Sequence, residues 1–217
     1  MDQTPHYLRP RERTADAWIH AAGLTASVIG GAVLLIVSLI QHRPGQSAAV
    51  AVYTGCVIAM FACSAAYNFA SPRHRPLLRR FDHAAIFLMI AGSYTPFTTQ
   101  SLTGAWAIAM TALVWTLALA GAAAKLFLPG LARGFWIGLY LALGWVVLAA
   151  LKPLLAALSL AALILLAAGG VIYSLGVIVY ARRGLPFRRA IWHGFVLAAA
   201  GVQYAAVLIG VVLAVRP

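Results

Sequence analysis

Apolar positions in this chain come in long continuous runs rather than in alternation. Seven stretches each suffice for a helix to cross a hydrocarbon core of roughly 30 Å. They run from Trp18 to Ile40, Ser47 to Phe69, Phe81 to Thr99, Gly104 to Phe127, Gly134 to Leu151, Leu154 to Ala181 and Arg189 to Val215. The sixth has length to spare, enough to tilt or protrude. All are rich in Ala and Leu and lack period-two polarity, which argues against strands. Pro and Gly punctuate the gaps, in "HRPGQ", "SPRHRP", "LPG", "KP" and "RRGLPF". The connections are too short for a soluble domain, and no internal repeat is visible. The pattern predicts an all-α integral membrane bundle of seven transmembrane helices. It forms one domain over residues 1–217, with residues 1–17 as a short basic tail.

Composition agrees. Of 217 residues, 63% are hydrophobic and only 9% charged, and the mean hydropathy is +0.92. The beginning, "MDQTPHYLRPRERTADAW", is too polar for a signal-peptide start, and the first apolar run exceeds a signal-peptide core, so it is expected to stay as a span. Cys56 and Cys63 lie seven apart in one predicted helix, about 10 Å of rise. That is too far for a disulfide, whose Cα atoms lie within about 7 Å. They read as packing residues.

A net charge of +12 raises the possibility of nucleic acid, but the placement of the charges removes it. The tail and the second, fourth and sixth connections hold thirteen of the 16 Lys and Arg. Basic residues of membrane proteins collect in cytoplasmic loops. The bias predicts a cytoplasmic N-terminus and an outer C-terminus, the reverse of a G-protein-coupled receptor. Rhodopsin-type chemistry needs a lysine within the last helix, and Lys125 and Lys152 both lie at span ends.

That orientation gathers polar residues at one level. In "RRFDHAAIFLMIAGSYTPF", Asp82 and His83 open the third span at the cytoplasmic side. Ser64 and Asn68, one turn apart, close the second span there. Arg189 and His193, again i and i+4, open the seventh. His20 lies near the start of the first. Ionisable groups in a membrane are costly and default to function. Against this, Asp82 is equally suited to cap a helix N-terminus, His83 to meet headgroups, and Ser64 to pack helices. A deeper layer, with Ser93, Tyr94, Thr95, Gln203 and Tyr204, suits either a cavity wall or bonds across helices. Pro96 is expected to kink the third span.

The third-span motif resembles that of the hemolysin III family, the bacterial branch of the progestin and adiponectin receptor superfamily. "ERTADAWIHAAG", "CSAAYNFA", "GLYLALGWVVL", "GGVIYSLGVIVYARR" and "AIWHGFVLAAAGVQYAAVL" extend the resemblance over nearly the whole chain. It implies seven spans in a bacterial inner membrane, a cytoplasmic N-terminus and a role in membrane homeostasis. It also implies a zinc site: a His ending the second span and a His-x-x-x-His pair opening the seventh, with a Ser and an Asp assisting hydrolysis. Here those ligand positions hold Asn68, Arg189 and His193, beside Ser64 and Asp82. Only His193 is retained, and arginine stays protonated and does not bind metals. Zinc is therefore not expected, and no cofactor is. An Arg189–Asp82 salt bridge is expected to tie the third and seventh spans instead.

The leading reading is a hemolysin III-type protein of membrane lipid homeostasis, with lipids as partners and no zinc-dependent hydrolysis. Ser64 and Asp82 are the candidate catalytic residues, and His20, Asn68, Arg189 and Gln203 the polar pocket. Two alternatives stand beside it. One is a lipid amide or ester hydrolase with a non-standard metal set of His193, His20 and Asp82; the other is a lipid-sensing receptor without chemistry. A channel lacks a charged stripe, and a transporter lacks charged midplane residues or paired repeats.

Overall fold

The computed structural model describes residues 6–214, apart from Pro129, Arg183 and the side chain of Pro44. Val215, the expected end of the last span, and the charges of Arg183 and Arg216 lie outside the described residues, as does the start of the tail. Helices dominate and no strand occurs among the described residues. In chain order they are α1 (Pro10–Ile40), α2 (Pro44–Phe69), α3 (Arg75–Gln100), α4 (Gly104–Phe127), α5 (Arg133–Gly144), α6 (Leu151–Ala157), α7 (Leu160–Ala181) and α8 (Arg188–Val207). A 3₁₀ turn, Val146–Ala150, joins α5 to α6, and a π turn, Leu208–Val212, extends α8.

Neighbours in sequence are neighbours in space: α1 packs on α2, α2 on α3, α3 on α4, α7 on α8, and α8 closes back on α1. The bundle is oily outside. Trp18, Ile108 and Leu160 are 73%, 74% and 72% exposed, while Asp16, on the opposite face of Trp18's own helix, is fully buried. An apolar exterior around a partly polar interior is what a hydrocarbon solvent selects. Close approach needs small residues. A Cβ on Gly92 would meet the Cβ of Cys56 at 2.6 Å, and one on Gly31 would strike Thr54. Cys56 and Cys63 are unpaired and half-buried, as packing residues should be.

Among the described residues, six helical segments are long and apolar enough to cross a membrane: Pro10–Ile40, Gly45–Phe69, Gly104–Phe127, Arg133–Ala157, Leu160–Ala181 and Arg188–Val212. The remaining long helix, α3, has 26 residues but carries Arg75, Arg79, Arg80, Asp82 and His83 at one end and Thr98, Thr99 and Gln100 at the other. It tolerates them because it lies between α2 and α4, with ten buried residues including Phe87, Met89 and Phe97. Pro96 sits within α3 without ending it.

Two boundaries differ from expectation. The expected third span began at Phe81, but α3 begins at Arg75, with Pro76 in its first turn, where a missing N–H costs nothing. The expected fifth and sixth spans met at Leu151–Leu154. Instead the fifth segment is broken after Gly144 and continues to Ala157, and α7 starts at Leu160. Ser159 caps α7, its hydroxyl accepting from the Ala162 N–H at 3.3 Å. The break is satisfied from α3. The Tyr94 hydroxyl accepts from the Val147 N–H at 2.8 Å and donates to the Gly144 carbonyl at 2.7 Å. Unpaired backbone is thereby avoided where no water can serve it.

Candidate functional site

One end of the bundle gathers the starts of α1, α3 and α8 and the end of α2. Asp16 and His20 stand four apart on α1, so both face inward on successive turns. Ser64 and Asn68 do the same on α2, and Arg189 and His193 on α8. Asp16, His20, Ser64, Asn68 and His193 are all buried. A carboxylate withdrawn from water must be paired, and Asp16 is. Its Oδ1 lies 2.5 Å from His193 Nδ1, and its Oδ2 accepts from the Tyr7 hydroxyl at 2.5 Å.

The bonding fixes the tautomers. His20 Nδ1 lies 2.8 Å from the Asp16 main-chain carbonyl, which only accepts, so Nδ1 bears the proton. His20 Nε2 then offers its lone pair to Ser64 Oγ at 3.1 Å. His193 Nδ1 donates to the Asp16 carboxylate, so its Nε2 likewise presents a lone pair to Ser64 Oγ, at 3.5 Å. Ser64 thus sits between two imidazoles. Asn68 Nδ2 donates to the Ser64 carbonyl at 3.0 Å and reaches Oγ at 3.3 Å.

A polar strap closes this end. Asn68 Oδ1 accepts from His6 Nε2 at 3.0 Å and from the Arg189 guanidinium at 3.5 Å. Arg189 Nε donates to the His6 carbonyl at 3.0 Å. His6, which precedes the spans, titrates at about 4, lowered first by burial and then by the Arg189 charge. Burial, then the bond to Asp16, raises the Tyr7 phenol well above its ordinary value.

A cavity of about 350 Å³ runs inward from this cluster. Ser64, Asn68, Asp82, Arg189 and His193 line its polar end, where Arg79, Arg133 and Arg188 also contribute. Its wall then turns apolar, through Met89, Ile90, Tyr173 and Val196. Gln203 belongs to the deeper wall, its Oε1 buried without a partner among the described residues. Asp16 and His20 are not on the wall; they stand behind His193 and Ser64.

Of the expected polar set, Ser64, His20, Asn68, Arg189 and His193 form one connected network. Three readings do not hold. Asp82 is the eighth residue of α3 and so does not cap it; its carboxylate faces Ser64 and His193 and lies 3.5 Å from His83 Nδ1. Arg189 and Asp82 form no ion pair among the described residues, because the guanidinium is taken by His6 and Asn68. The acid that joins His20 and His193 is Asp16, not Asp82: one ligand-type atom from each of these three lies within 4.8 Å of the others. Asp16, Tyr7 and His6 were missed. The signal for Asp16 was its i, i+4 spacing to His20, with an oily Trp18 between them. No comparable signal marked Tyr7 or His6.

An all-helical chain with an oily surface and a buried His–Asp–Ser cluster at one end of its bundle is a multi-pass membrane protein with an internal polar site. The family model of haemolysin-III-related proteins matches residues 9–204. Hemolysin-3 of Bacillus cereus is 34% identical over 202 residues, covering 91% of both chains. The Hemolysin-3 homolog of Bacillus subtilis (strain 168) is 32% identical over 199 residues, covering 91% of this chain and 93% of that one. The human monocyte to macrophage differentiation factor is 28% identical over 211 residues, covering 90% and 83%. The chain belongs to the haemolysin-III-related family.

Proposed function

We propose that this protein is a seven-span inner-membrane protein of lipid homeostasis that admits a lipid chain into its cavity. Its N-terminus faces the cytoplasm, and it works without the family's zinc ion. The observation that carries the lipid reading is the cavity itself. It is apolar along its length, ringed at one end by arginines and a buried polar cluster, and enclosed by an oily bundle. Such a shape takes an amphiphile with its anionic head among the guanidiniums. α3 is the seventh span: its central apolar stretch is buried among neighbours, and its charged start lies level with the other polar helix ends. The basic connections favour a cytoplasmic position for that end.

The donor set argues against zinc at the positions implied by the resemblance. Arg189 carries a fixed positive charge, and the Asn68 carbonyl oxygen, the one atom of that side chain able to ligate, already accepts from Arg189 and His6. A dication placed between Asn68, Arg189 and His193 would meet a guanidinium rather than a ligand. Ser64 and Asp82 remain on the cavity wall as the candidate reactive groups.

A second reading is favoured by one observation. Asp16, His20 and His193 are close enough together to hold a divalent metal by themselves, which would restore a metal-dependent hydrolase with a different ligand set.

Mass spectrometry of the protein released gently from native membranes tests the lipid reading. The expected result is a copurifying anionic phospholipid whose occupancy falls several-fold in Ile90→Trp, which fills the cavity. Unchanged lipid occupancy in a folded Ile90→Trp protein would contradict it.

A further inference from the structure

We infer that Ser64, His193 and Asp16 form a metal-free catalytic triad that cleaves the carboxylic ester of an anionic membrane lipid. This rests on the lipid-cavity reading above and assigns the chemistry at its polar end.

Three relations define such a triad: a nucleophile within reach of a base, a base oriented by an acid, and a reacting group presented to substrate. All three are present. Ser64 Oγ lies 3.5 Å from His193 Nε2, an open separation of the kind that tightens once substrate is bound. His193 Nδ1 lies 2.5 Å from Asp16 Oδ1. Ser64 and His193 line the cavity, whereas Asp16 stands behind His193 and is fully buried. Tyr7 holds the second carboxylate oxygen, which keeps Asp16 aimed. The chain order Asp, Ser, His is immaterial, since roles follow geometry.

The same arrangement separates this chemistry from a metal's. An ion held by Asp16, His20 and His193 would have two of its three ligands off the cavity wall. The serine route uses each group where it stands. His20 Nε2, 3.1 Å from Oγ, holds the hydroxyl at rest; His193 is the base because its Nδ1 is bonded to the Asp16 carboxylate, whereas His20 Nδ1 is bonded to a main-chain carbonyl.

The steps balance. Ser64 Oγ attacks the ester carbonyl carbon and its proton passes to His193 Nε2. The tetrahedral oxyanion faces Asn68 Nδ2, which already reaches Oγ at 3.3 Å. As the intermediate collapses, the carbon–oxygen bond to the leaving alcohol breaks and His193 returns its proton to that alcohol. Water then attacks the acyl-Ser64, giving its proton to His193. Ser64 leaves with that proton, and a free carboxylic acid is released. The cavity's apolar length takes the acyl chain, and Arg79, Arg133, Arg188 and Arg189 at the polar end suit an anionic headgroup.

The test uses the full chain in phospholipid nanodiscs and an alkyl fluorophosphonate, with the adduct mapped by mass spectrometry. The expected result is a single adduct on Ser64 that forms equally well in the presence of a strong zinc chelator. His193→Ala should slow its formation by about 100-fold or more, the usual weight of a general base. Asp16→Asn should slow it by a similar factor while leaving affinity for an uncleavable ether analogue of an anionic phospholipid unchanged, and Asp16→Glu should recover part of the rate. Wild-type protein should also release free carboxylic acid from the matching ester. Ether-lipid binding without a Ser64 adduct would overturn the triad and leave the lipid-cavity reading standing. Failure of the ether lipid to bind would remove both. An adduct abolished by chelator and restored by zinc would replace the triad with metal chemistry.

Discussion

Asn68 and Arg189 are the residues on which this site turns. Their direct contact joins α2 to α8 at the level of His193, and both can be changed to histidine. The double substitution Asn68→His and Arg189→His is expected to create a site that retains one zinc per chain on gel filtration, with either single change retaining much less, since three ligands are needed to close a stable set. Elemental analysis of the three variants checks this. His6 makes a second prediction. Its neutral form is the one that docks, facing Asn68, Arg189, Arg75 and, through Tyr7, Asp16. With an unfolded value of 6.5 and a docked value of about 4, an undocked tail binds more protons between the two. Docking is therefore complete above pH 6.5 and is lost as pH falls towards 4. Hydrogen exchange of the tail amides should show this loosening, and His6→Gln should flatten it. Sequence alone reached His193, Ser64 and Asn68 because each falls one turn from a helix end with a polar partner four residues away. It missed Asp16 because that residue was assigned to the tail, before the apolar run begins at Trp18, whereas α1 starts at Pro10.

At the level of elements, the break between α5 and α6 is the most exposed weakness. Tyr94 from α3 serves the Gly144 carbonyl and the Val147 N–H with one hydroxyl. Tyr94→Phe should destabilise the protein by about 1–3 kcal/mol, the penalty for stranding buried polar groups, read as a lowered midpoint in detergent unfolding. The α2–α3 contact makes a separate prediction. Gly92 abuts Cys56, so Gly92→Leu should cost roughly 1–3 kcal/mol of overpacking by the same assay, whereas Gly138→Leu, with open space around it, should not. Most helices were legible because a 20-residue apolar run in a Pro- and Gly-punctuated chain has few other fates. The boundaries that moved did so for local reasons. Arg75, Arg79 and Arg80 are charged yet helical because they form the wet end of α3. Ser159 caps a helix inside what reads as one unbroken apolar run from Leu154 to Ala181. Gly144 and Trp145 break a run that hydropathy alone treats as continuous.

Across the whole molecule, charge and cavity point the same way. The arginines that line the cavity's mouth lie at the ends that carry the basic connections, so the proposed orientation and the proposed anion binding call on the same basic end. A single cysteine placed at Arg11 in a chain lacking Cys56 and Cys63 is expected to resist an impermeant maleimide in intact cells and to react only after lysis. Labelling in intact cells would reverse the orientation. The oily exterior followed from the pattern of apolar runs, and a polar pocket was expected, but the cavity's full lining was not, because it is built from residues of α2, α3, α5, α7 and α8 that no local pattern connects. The most direct measurement of the site as described is the zinc content of protein purified from zinc-replete cells without chelator. The expected value is far below one ion per chain, unchanged by His193→Ala. One ion per chain, lost in His193→Ala, would contradict it.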